Sequence, residues 1–172
     1  MKTVLILYLI LLFAMPVCAE TDIKGMVRHV YDGDTALVIS RNAGKVKVRL
    51  YGIDAPETDK PGKPGQPVGS QAKRMLMYKI LGRTVNVEVR DKDQYGRVVG
   101  VVRQGGRDVN AEMVREGMAW AYRQYLHGAY ASEYIALEEN ARRHRIGIWR
   151  QGNPQPPWVF RQTTHKGRRH SR

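Results

Sequence analysis

The sequence predicts an α+β domain in which five short β-strands form a barrel and three helices pack against it. Three observations lead to this fold class. Valine, leucine and isoleucine alternate with polar residues over residues 23–53, which is the period of half-buried strands. A helical pattern then separates this segment from two further strand-like runs, and two more helical patterns follow them.

The first alternating segment divides into three strands at two turn signals. Asp32-Gly33 and residues 42–44 (Asn-Ala-Gly) are sequences that favour tight turns between antiparallel strands. Within the third strand, Val48 and Leu50 point to one side, and the polar residues between and beside them point to the other. The segment therefore predicts a three-stranded meander.

A basic loop separates the meander from the first helix. Residues 58–69 contain three prolines, three glycines and two lysines, a composition typical of a mobile surface loop. Ser70 is predicted to begin a helix, because apolar residues then recur at helical spacing until Gly82 supplies a stop. The two lysines are expected to attract an anionic partner.

Two strands and two helices complete the predicted domain. Residues 84–89 alternate cleanly and residues 97–102 are mostly apolar, which predicts strands four and five. Asp108 and Ser132 are candidate N-cap residues of the second and third helices. Five short strands with a helix between the third and fourth is the order of an OB-fold barrel, a fold that commonly binds nucleic acid.

The chain begins with a segment typical of an export signal. Lys2 precedes an apolar run at residues 4–14, and small or apolar residues precede Glu20. A transmembrane anchor is the alternative, but a span needs about 20 apolar residues. We expect residues 1–19 to be a cleaved signal peptide and the protein to be periplasmic or secreted. Cys18, the only cysteine, is then removed, so disulfides and thiol chemistry are not expected.

The remaining chain is long enough for one domain and strongly basic. Removing 19 of 172 residues leaves 153, and losing Lys2 lowers the formal net charge from +13 to +12. We assign residues 20–150 to the domain, which we expect to be a monomer. A basic excess of this size favours polyanionic partners, although a solubilising surface or contact with anionic lipid or cell wall remains an alternative.

Residues 151–172 form a basic C-terminal tail with prolines at its start. The last dozen residues are expected to be disordered in isolation. They contain five basic residues and no acid: Arg161, Lys166, Arg168, Arg169 and Arg172. We predict that they help to capture long polyanions while the chemistry occurs elsewhere.

Acidic residues gather at the ends of the predicted strands. Taken alone, Asp32-Gly33-Asp34 is a common hairpin turn, and Asp54 and Glu57 could simply begin a loop. However, the start of strand two and the end of strand three lie at the same edge of an antiparallel meander, so Asp34 and Asp54 should converge. Such a site favours a hard cation such as calcium or magnesium. Zinc is not expected because cysteine and paired histidine ligands are missing, and the sequence does not match an EF-hand.

Two arginines accompany these acids. Arg49 lies five residues before Asp54 on the side of its strand opposite Val48 and Leu50, and Arg97 begins the fifth strand. Both could be solvated surface residues. Two guanidinium groups beside a cation are also what phosphoryl chemistry requires, because negative charge accumulates on the phosphate oxygens in the transition state.

Several motifs together resemble the staphylococcal (micrococcal) nuclease family over residues 23–149. They are DGDT at residues 32–35, VRLYGIDAPET at 48–58, DQYGR at 93–97, VNAEMVREGMAW at 109–120 and IGIW at 146–149. The later PPWVFR, at residues 156–161, resembles the segment that follows the domain in exported bacterial members.

The resemblance implies specific roles. Asp34 and Asp54 would bind one calcium ion with the main-chain carbonyl of Ala55, and Asp32 would support them from behind. Glu57 would orient or deprotonate the attacking water, and Arg49 and Arg97 would stabilise the transition state. The substrate-binding residues would be Tyr95, Tyr122 and Tyr125. Gln94 stands where lysine is frequent, so a terminal-phosphate contact would be weaker.

The resemblance thus implies a calcium-dependent nuclease that hydrolyses DNA and RNA with little sequence preference and leaves 3′-phosphates. Two alternatives stay open. A non-catalytic OB-fold protein of the cell envelope could bind nucleic acid without cleaving it, and a cationic envelope or structural protein would share the charge and the export signal. The five expected active-site residues are all present, which argues against a decayed enzyme: Asp34, Arg49, Asp54, Glu57 and Arg97.

Overall fold

The computed structural model describes the backbone of residues 22–169 and the side chains within residues 22–164. The strands are β1 (Ile23–Asp32), β2 (Thr35–Ser40), β3 (Gly44–Leu50), β4 (Ile53–Asp54), β5 (Thr84–Lys92), β6 (Val98–Gln104), β7 (Arg107–Asp108) and β8 (Trp120–Ala121). The α-helices are α1 (Gly69–Ile80), α2 (Val109–Arg115), α3 (Gly128–Arg143) and α4 (Pro157–Arg169), with short 3₁₀ helices at Arg123–Tyr125 and Gly147–Arg150.

Five strands close into a barrel. The order is β3-β2-β1-β5-β6, all antiparallel, and β6 returns to pair with β3 in parallel. The closing register places Val48 opposite Val98 and Arg49 opposite Val99. The fold is therefore the α+β, five-stranded OB-type barrel predicted from the sequence, with the helix α1 between the third and fourth barrel strands.

The core of the barrel consists mainly of the valines that alternate along the strands. Val27, Val48, Val87 and Val101 are fully buried, because side chains two apart on a strand share one face. The helix α1 adds Ala72, Leu76 and Ile80 to the same core, and their spacing of four residues places them on one helix face.

Two predicted helix features were confirmed and two were wrong. Gly82, with φ +72°, follows α1, as expected for a C-terminal stop, and the Asp108 side chain accepts a hydrogen bond from the Ala111 amide at the start of α2. However, α1 begins at Gly69 without a side-chain cap. Ser132 lies inside α3, which begins one turn earlier, at Gly128. This additional turn contains Tyr130, whose hydroxyl donates a hydrogen bond to the Glu88 carboxylate on β5.

A buried asparagine ties the closure of the barrel to α2. Asn110 is fully buried, and its side-chain amide donates to the carbonyls of Tyr51 and Gly100 while its oxygen accepts from the Val102 amide. These backbone groups belong to the segment after β3 and to β6. One side chain therefore satisfies polar groups on both sides of the junction that completes the barrel.

The segment after the barrel contains a helix that the sequence did not predict. Residues 161–169, part of the stretch expected to be disordered in isolation, lie in the helix α4, which begins at Pro157 and continues to Arg169. The first turns of α4 lie against the domain through Trp158 and Arg161. A sequence pattern could not show this docking surface, and tertiary contacts, more than propensity, stabilise most helices in proteins.

The predicted signal peptide, residues 1–19, lies outside the described residues. Within the described part of the chain, none of the helices is both long enough and apolar enough to span a bilayer.

Replacing Asn110 with alanine should destabilise the fold by at least about 2 kcal/mol. The Tyr51 carbonyl and the Val102 amide lose their hydrogen bonds to Asn110, while the Gly100 carbonyl keeps the bond from the Tyr51 amide. Urea unfolding followed by circular dichroism measures this change. Asn42→Ala, at an exposed turn position, is the control and should change stability by less than about 0.5 kcal/mol. Equal stability of the two variants would contradict the closing role of Asn110.

Candidate active site

The barrel brings two carboxylates together at one end, as the sequence predicted. Asp34 precedes β2 and Asp54 ends β4, and both side chains are buried, with 5% and 0% of their surface exposed. The Leu50 amide donates to the Asp34 carbonyl at 2.8 Å, which holds the end of β3 against the start of β2.

Arg49 joins the two carboxylates. Its Nη1 donates to Asp34 Oδ1 at 2.6 Å and its Nη2 donates to Asp54 Oδ1 at 2.7 Å. Arg49 pairs in register with Thr35 across β2 and β3, so the backbone ladder itself aims the guanidinium at this edge. Only 18% of the side chain is exposed, so Arg49 is not a solvated surface arginine.

Asp34 is held from three directions. Its Oδ1 also accepts from the Thr35 hydroxyl at 2.8 Å, and its Oδ2 accepts from the Ala55 amide at 2.9 Å. Gly33 makes this approach possible, because a Cβ at this position would lie 2.6 Å from the Ala55 Cβ and 2.8 Å from the Ala72 Cβ. The glycine at this position is therefore required by its packing against Ala55 and α1.

The buried acids have perturbed ionisation. Burial raises the pKa of Asp32 to about 7, and the neighbouring Asp34 carboxylate adds to this shift. Burial also raises the pKa of Asp54, followed by the repulsion from Asp34. For Asp34, burial acts in the same direction, but Arg49 and the hydrogen bonds to the carboxylate hold its pKa below the ordinary value. Asp32 accepts from the Asp34 amide at 3.2 Å, so it stands behind the pair.

Glu57 lies beside this pair at the start of the long loop. Its amide donates to the Gln66 side chain at 3.1 Å, and its carbonyl accepts from the Gln66 amide at 2.8 Å. Lys60 lies 3.7 Å from the Glu57 carboxylate. Backbone hydrogen bonds between Lys60 and Lys63 further fold the segment on itself. The loop that was predicted to be mobile is thus folded around Glu57, whose side chain keeps 24% of its surface exposed.

Arg97 lies at the same end of the barrel but has a different partner. Its Nε donates to Asp93 Oδ2 at 2.6 Å, and its guanidinium lies 5.6 Å from the ring of Tyr95, which is 76% exposed. In the parallel pairing of β3 and β6, Val98 lies opposite Val48. Arg97 directly precedes Val98 and therefore lies near the end of β3. The structure therefore brings Arg49 to the carboxylates and leaves Arg97 on its own turn beside them.

Tyr122 and Tyr125 follow β8, the strand that pairs with β4 at Asp54. The rings of Tyr122 and Tyr125 meet edge to face at 4.8 Å. The face of Tyr122 is covered by the indole of Trp158 from α4, stacked at 5.0 Å with an angle of 3° between the rings. Trp120 and Trp149 pack against each other in a buried cluster.

Arg161 was not predicted as a site residue. Its Nη2 donates to Asp54 Oδ2 at 2.8 Å, and its Nη1 donates to Glu57 Oε1 at 2.9 Å and to Asp54 Oδ1 at 3.2 Å. Sequence reasoning assigned Arg161 to polyanion capture because it is one of the basic residues of the tail, and 107 residues separate it from Asp54. The only available signal was its position at the end of the PPWVFR segment.

The oxygen donors of the site fit a hard cation with an incomplete protein shell. Among the described residues, no three histidine, cysteine, aspartate or glutamate side chains form a metal-binding group. A cation would therefore take the two carboxylates of Asp34 and Asp54 and complete its shell with carbonyl and water oxygens, which calcium accepts. The Arg161 guanidinium on Asp54 shows that a positive charge is accommodated at this place.

An OB-type barrel with buried carboxylates, a bridging arginine and a partly exposed glutamate at its edge defines a protein equipped for chemistry on anionic substrates. The family model described as "Staphylococcal nuclease homologue" matches residues 47–151. The chain belongs to this family.

Individual relatives agree with this assignment. The chain is 39% identical to a micrococcal nuclease of Shigella flexneri, over 90% of this chain and 88% of the relative. It is 40% identical to an uncharacterized endonuclease of Escherichia coli over 87% and 92% of the two chains, and 34% identical to an uncharacterized endonuclease of Haemophilus influenzae over 93% and 85%. The family and these relatives support a nuclease function.

Asp32 gives the site a pH-dependent stability. Its pKa of about 7 in the folded protein lies above the ordinary aspartate pKa of 3.8, so the folded state binds more protons than the unfolded state between these pH values. The stabilisation that the folded protein gains from proton binding to Asp32 is fully present below pH 4 and is lost as the pH rises through 7. In EDTA, the parent protein should lose on the order of 3 kcal/mol of unfolding free energy through Asp32 between pH 4.5 and 7.5, and Asp32→Asn should not show this loss.

Urea unfolding at the two pH values measures this difference. Asp91→Asn, an exposed acid on β5, is the control and should follow the parent protein. A parallel pH dependence of Asp32→Asn and the parent would show that Asp32 is ionised normally in the folded protein.

Proposed function

We propose that this chain is an exported, calcium-dependent nuclease that hydrolyses DNA and RNA with little sequence preference and leaves 3′-phosphates. The observation that carries the proposal is the pair of buried carboxylates joined by Arg49 at 2.6 and 2.7 Å, in a chain of the staphylococcal nuclease family. A conserved fold alone would not suffice, because OB barrels serve many functions.

Asp34 and Asp54 would hold the calcium, with the Ala55 carbonyl as a further ligand and Asp32 behind them. When bound, calcium neutralises part of the phosphodiester charge and polarises the phosphorus–oxygen bond. The Ala55 amide and the Thr35 hydroxyl both donate to Asp34, so the carboxylate is fixed before any ligand arrives. This preorganisation supports the proposed role of the pair.

Glu57 is the proposed base. Its carboxylate is next to Asp54, partly exposed, and fixed at its backbone by Gln66. It would accept a proton from the attacking water as the water oxygen bonds to phosphorus. The bond from phosphorus to the 5′-oxygen then breaks, the leaving oxygen takes a proton from solvent, and the phosphate stays on the 3′ side.

Arg49 and Arg97 would stabilise the negative charge that develops on the phosphate oxygens. Arg49 is already fixed by two carboxylates, so its remaining N–H groups can serve the phosphate with little reorganisation. Arg97 would have to turn from Asp93 toward the substrate, and its 23% exposure and its place at the start of β6 leave room for that.

The aromatic residues support the lack of sequence preference. Tyr122 and Tyr125 are proposed to stack on a base, and such stacking is independent of sequence because a ring face accepts any base. Tyr95 is proposed to contact a phosphate. Lys60 and Lys63 lie on an exposed part of the loop beside Glu57, where they would attract the polyanion. Export and a monomeric state remain part of the proposal.

Cleavage should require calcium. The protein should release acid-soluble nucleotides from DNA and from RNA on addition of calcium, and excess EDTA should abolish this release, because buried carboxylates alone repel the substrate. Asp54→Asn should be inactive at every calcium concentration. Full activity in EDTA would rule out the metal, and binding of both polymers without release of nucleotides would identify a non-catalytic nucleic-acid-binding protein.

Lysine should not replace either arginine. Arg49→Lys and Arg97→Lys should each lower kcat by about 10²- to 10³-fold and change KM much less, since a planar donor is lost where transition-state charge is greatest. Steady-state kinetics on a short oligonucleotide measure both constants. Arg41→Lys, in the exposed turn after β2, is the control. Near-parental kcat of Arg97→Lys would leave Arg97 as a partner of Asp93 only.

Glu57→Gln should lower kcat by about 10²-fold or more and remove the rise of kcat with pH that a titrating base produces. Glu139→Gln, an exposed acid on α3, is the control. A parental pH profile at reduced kcat would show that Glu57 orients the water without accepting its proton.

A further inference from the structure

The start of α4 lies across the proposed active site. We call residues 151–164 the C-terminal arm. The Gln66 side chain donates to the Gln155 carbonyl at 2.8 Å, Pro157 is buried, and Phe160 lines a cavity of about 200 Å³ together with Pro56. The arm therefore contacts the same loop that carries Glu57, and it does so through both polar and apolar groups.

Two side chains of the arm reach the site together. Trp158 and Arg161 are three residues apart on α4 and so lie on one face of the helix. Trp158 covers the ring of Tyr122, and Arg161 donates to both Asp54 and Glu57. Trp158 also meets the ring of Trp120 edge to face at 5.6 Å, which fixes the indole above the site.

Contacts of the arm with Asp54, Glu57 and Tyr122 use groups that the proposed function needs for something else. Asp54 is a proposed calcium ligand, and both of its oxygens accept from Arg161. Glu57 is the proposed base, and its Oε1 accepts from the same guanidinium. Tyr122 is proposed to stack on a base, and an indole lies parallel to it at 5.0 Å.

The charge of the site explains why a guanidinium binds there. The cluster contains more acidic side chains than arginines. The acids are Asp32, Asp34, Asp54 and Glu57, and the arginines are Arg49 and Arg161. Removing Arg161 leaves a buried carboxylate, that of Asp54, with Arg49 as its remaining cationic partner. Arg49 would then be the one guanidinium shared by the two buried carboxylates of Asp34 and Asp54. A buried negative charge that is only partly compensated is costly, so a second cation at Asp54 is favourable, whether it is a guanidinium or a metal ion.

We propose that Arg161 and Trp158 are further active-site residues that occupy the places of the cation and of a base, so that calcium and nucleic acid must displace the arm. The proposal rests on the proposed function for the identity of the two competitors. It makes Arg161 a competitor of calcium for Asp54. The apparent calcium affinity of the full chain is then lower than the intrinsic affinity of the site, because only the molecules in which the arm is undocked can bind calcium.

Displacement of the arm is structurally simple. The side chain of Arg161 is 36% exposed, and among the described residues the hydrogen bonds that join the arm to the loop and to Asp54 all involve a side chain, either that of Gln66 or that of Arg161. The strand pairings that close the barrel lie within residues 23–121. The arm can therefore leave without breaking the barrel, unlike Arg49, which lies on β3.

Calcium binding to the full chain without nucleic acid tests the competition. In isothermal titration calorimetry with calcium chloride, Arg161→Ala should bind calcium about tenfold more tightly than the parent, because the charge-assisted bonds to Asp54 are gone. The calcium affinity of Arg161→Lys should lie between those of the parent and Arg161→Ala. Arg150→Ala, an exposed arginine just before the arm, is the control and should match the parent. Equal or weaker affinity of Arg161→Ala would overturn the competition.

Two further measurements separate the arm from the calcium assignment. Hydrogen exchange of residues 157–164 in the parent should increase at least about fivefold on addition of calcium, since the docked helix is released. In EDTA, Trp158→Ala should bind a ten-nucleotide thymidine oligonucleotide several-fold more tightly than Arg150→Ala.

If the parent and all variants fail to bind calcium while Trp158→Ala still binds the oligonucleotide more tightly, the calcium part of the proposed function fails and the arm remains an occupant of the site. Unchanged or weaker oligonucleotide binding by Trp158→Ala, or unchanged exchange on calcium binding, would overturn the proposal itself.

Discussion

The bridge from Arg49 to Asp34 and Asp54 is the interaction on which the site depends. Two carboxylates with almost no exposed surface lie side by side, and without a cation between them their burial would cost far more than a single hydrogen bond returns. Arg49 supplies that cation at 2.6 and 2.7 Å. The pairing of β2 with β3 and of β3 with β6 fixes its backbone, so barrel closure and site formation are one structural event.

Small residues around this bridge allow the acids to approach. Gly33 lies between Ala55 and Ala72, where a Cβ would collide with both, and the Ala55 amide donates directly to Asp34. A larger residue at any of these positions would push the turn away from α1 or from β4. The site therefore depends on packing in the second layer as much as on its charged residues.

The sequence predicted the features whose cause is local. Alternation gave the five barrel strands, Asp108 gave the start of α2, and the meander placed Asp34 near Asp54. It did not predict that α3 begins at Gly128, because the reason is a hydrogen bond from Tyr130 to Glu88, 42 residues away. The same limit applies to Arg161, since nothing near residue 161 in the sequence shows which acids it will contact.

The two arginines that neutralise Asp54 differ in the cost of removing them. Arg49 is five residues from Asp54 and is built into a barrel strand, so it cannot leave without opening the sheet. Arg161 comes from 107 residues away, on a helix beyond the residues 47–151 that match the family model. Arg49, the permanent partner within the barrel, holds the two carboxylates in position. Arg161, the exchangeable partner outside the barrel, leaves one position at Asp54 for a cation from solution. The charge of the site is thus set by the barrel, and access to it by the segment that follows.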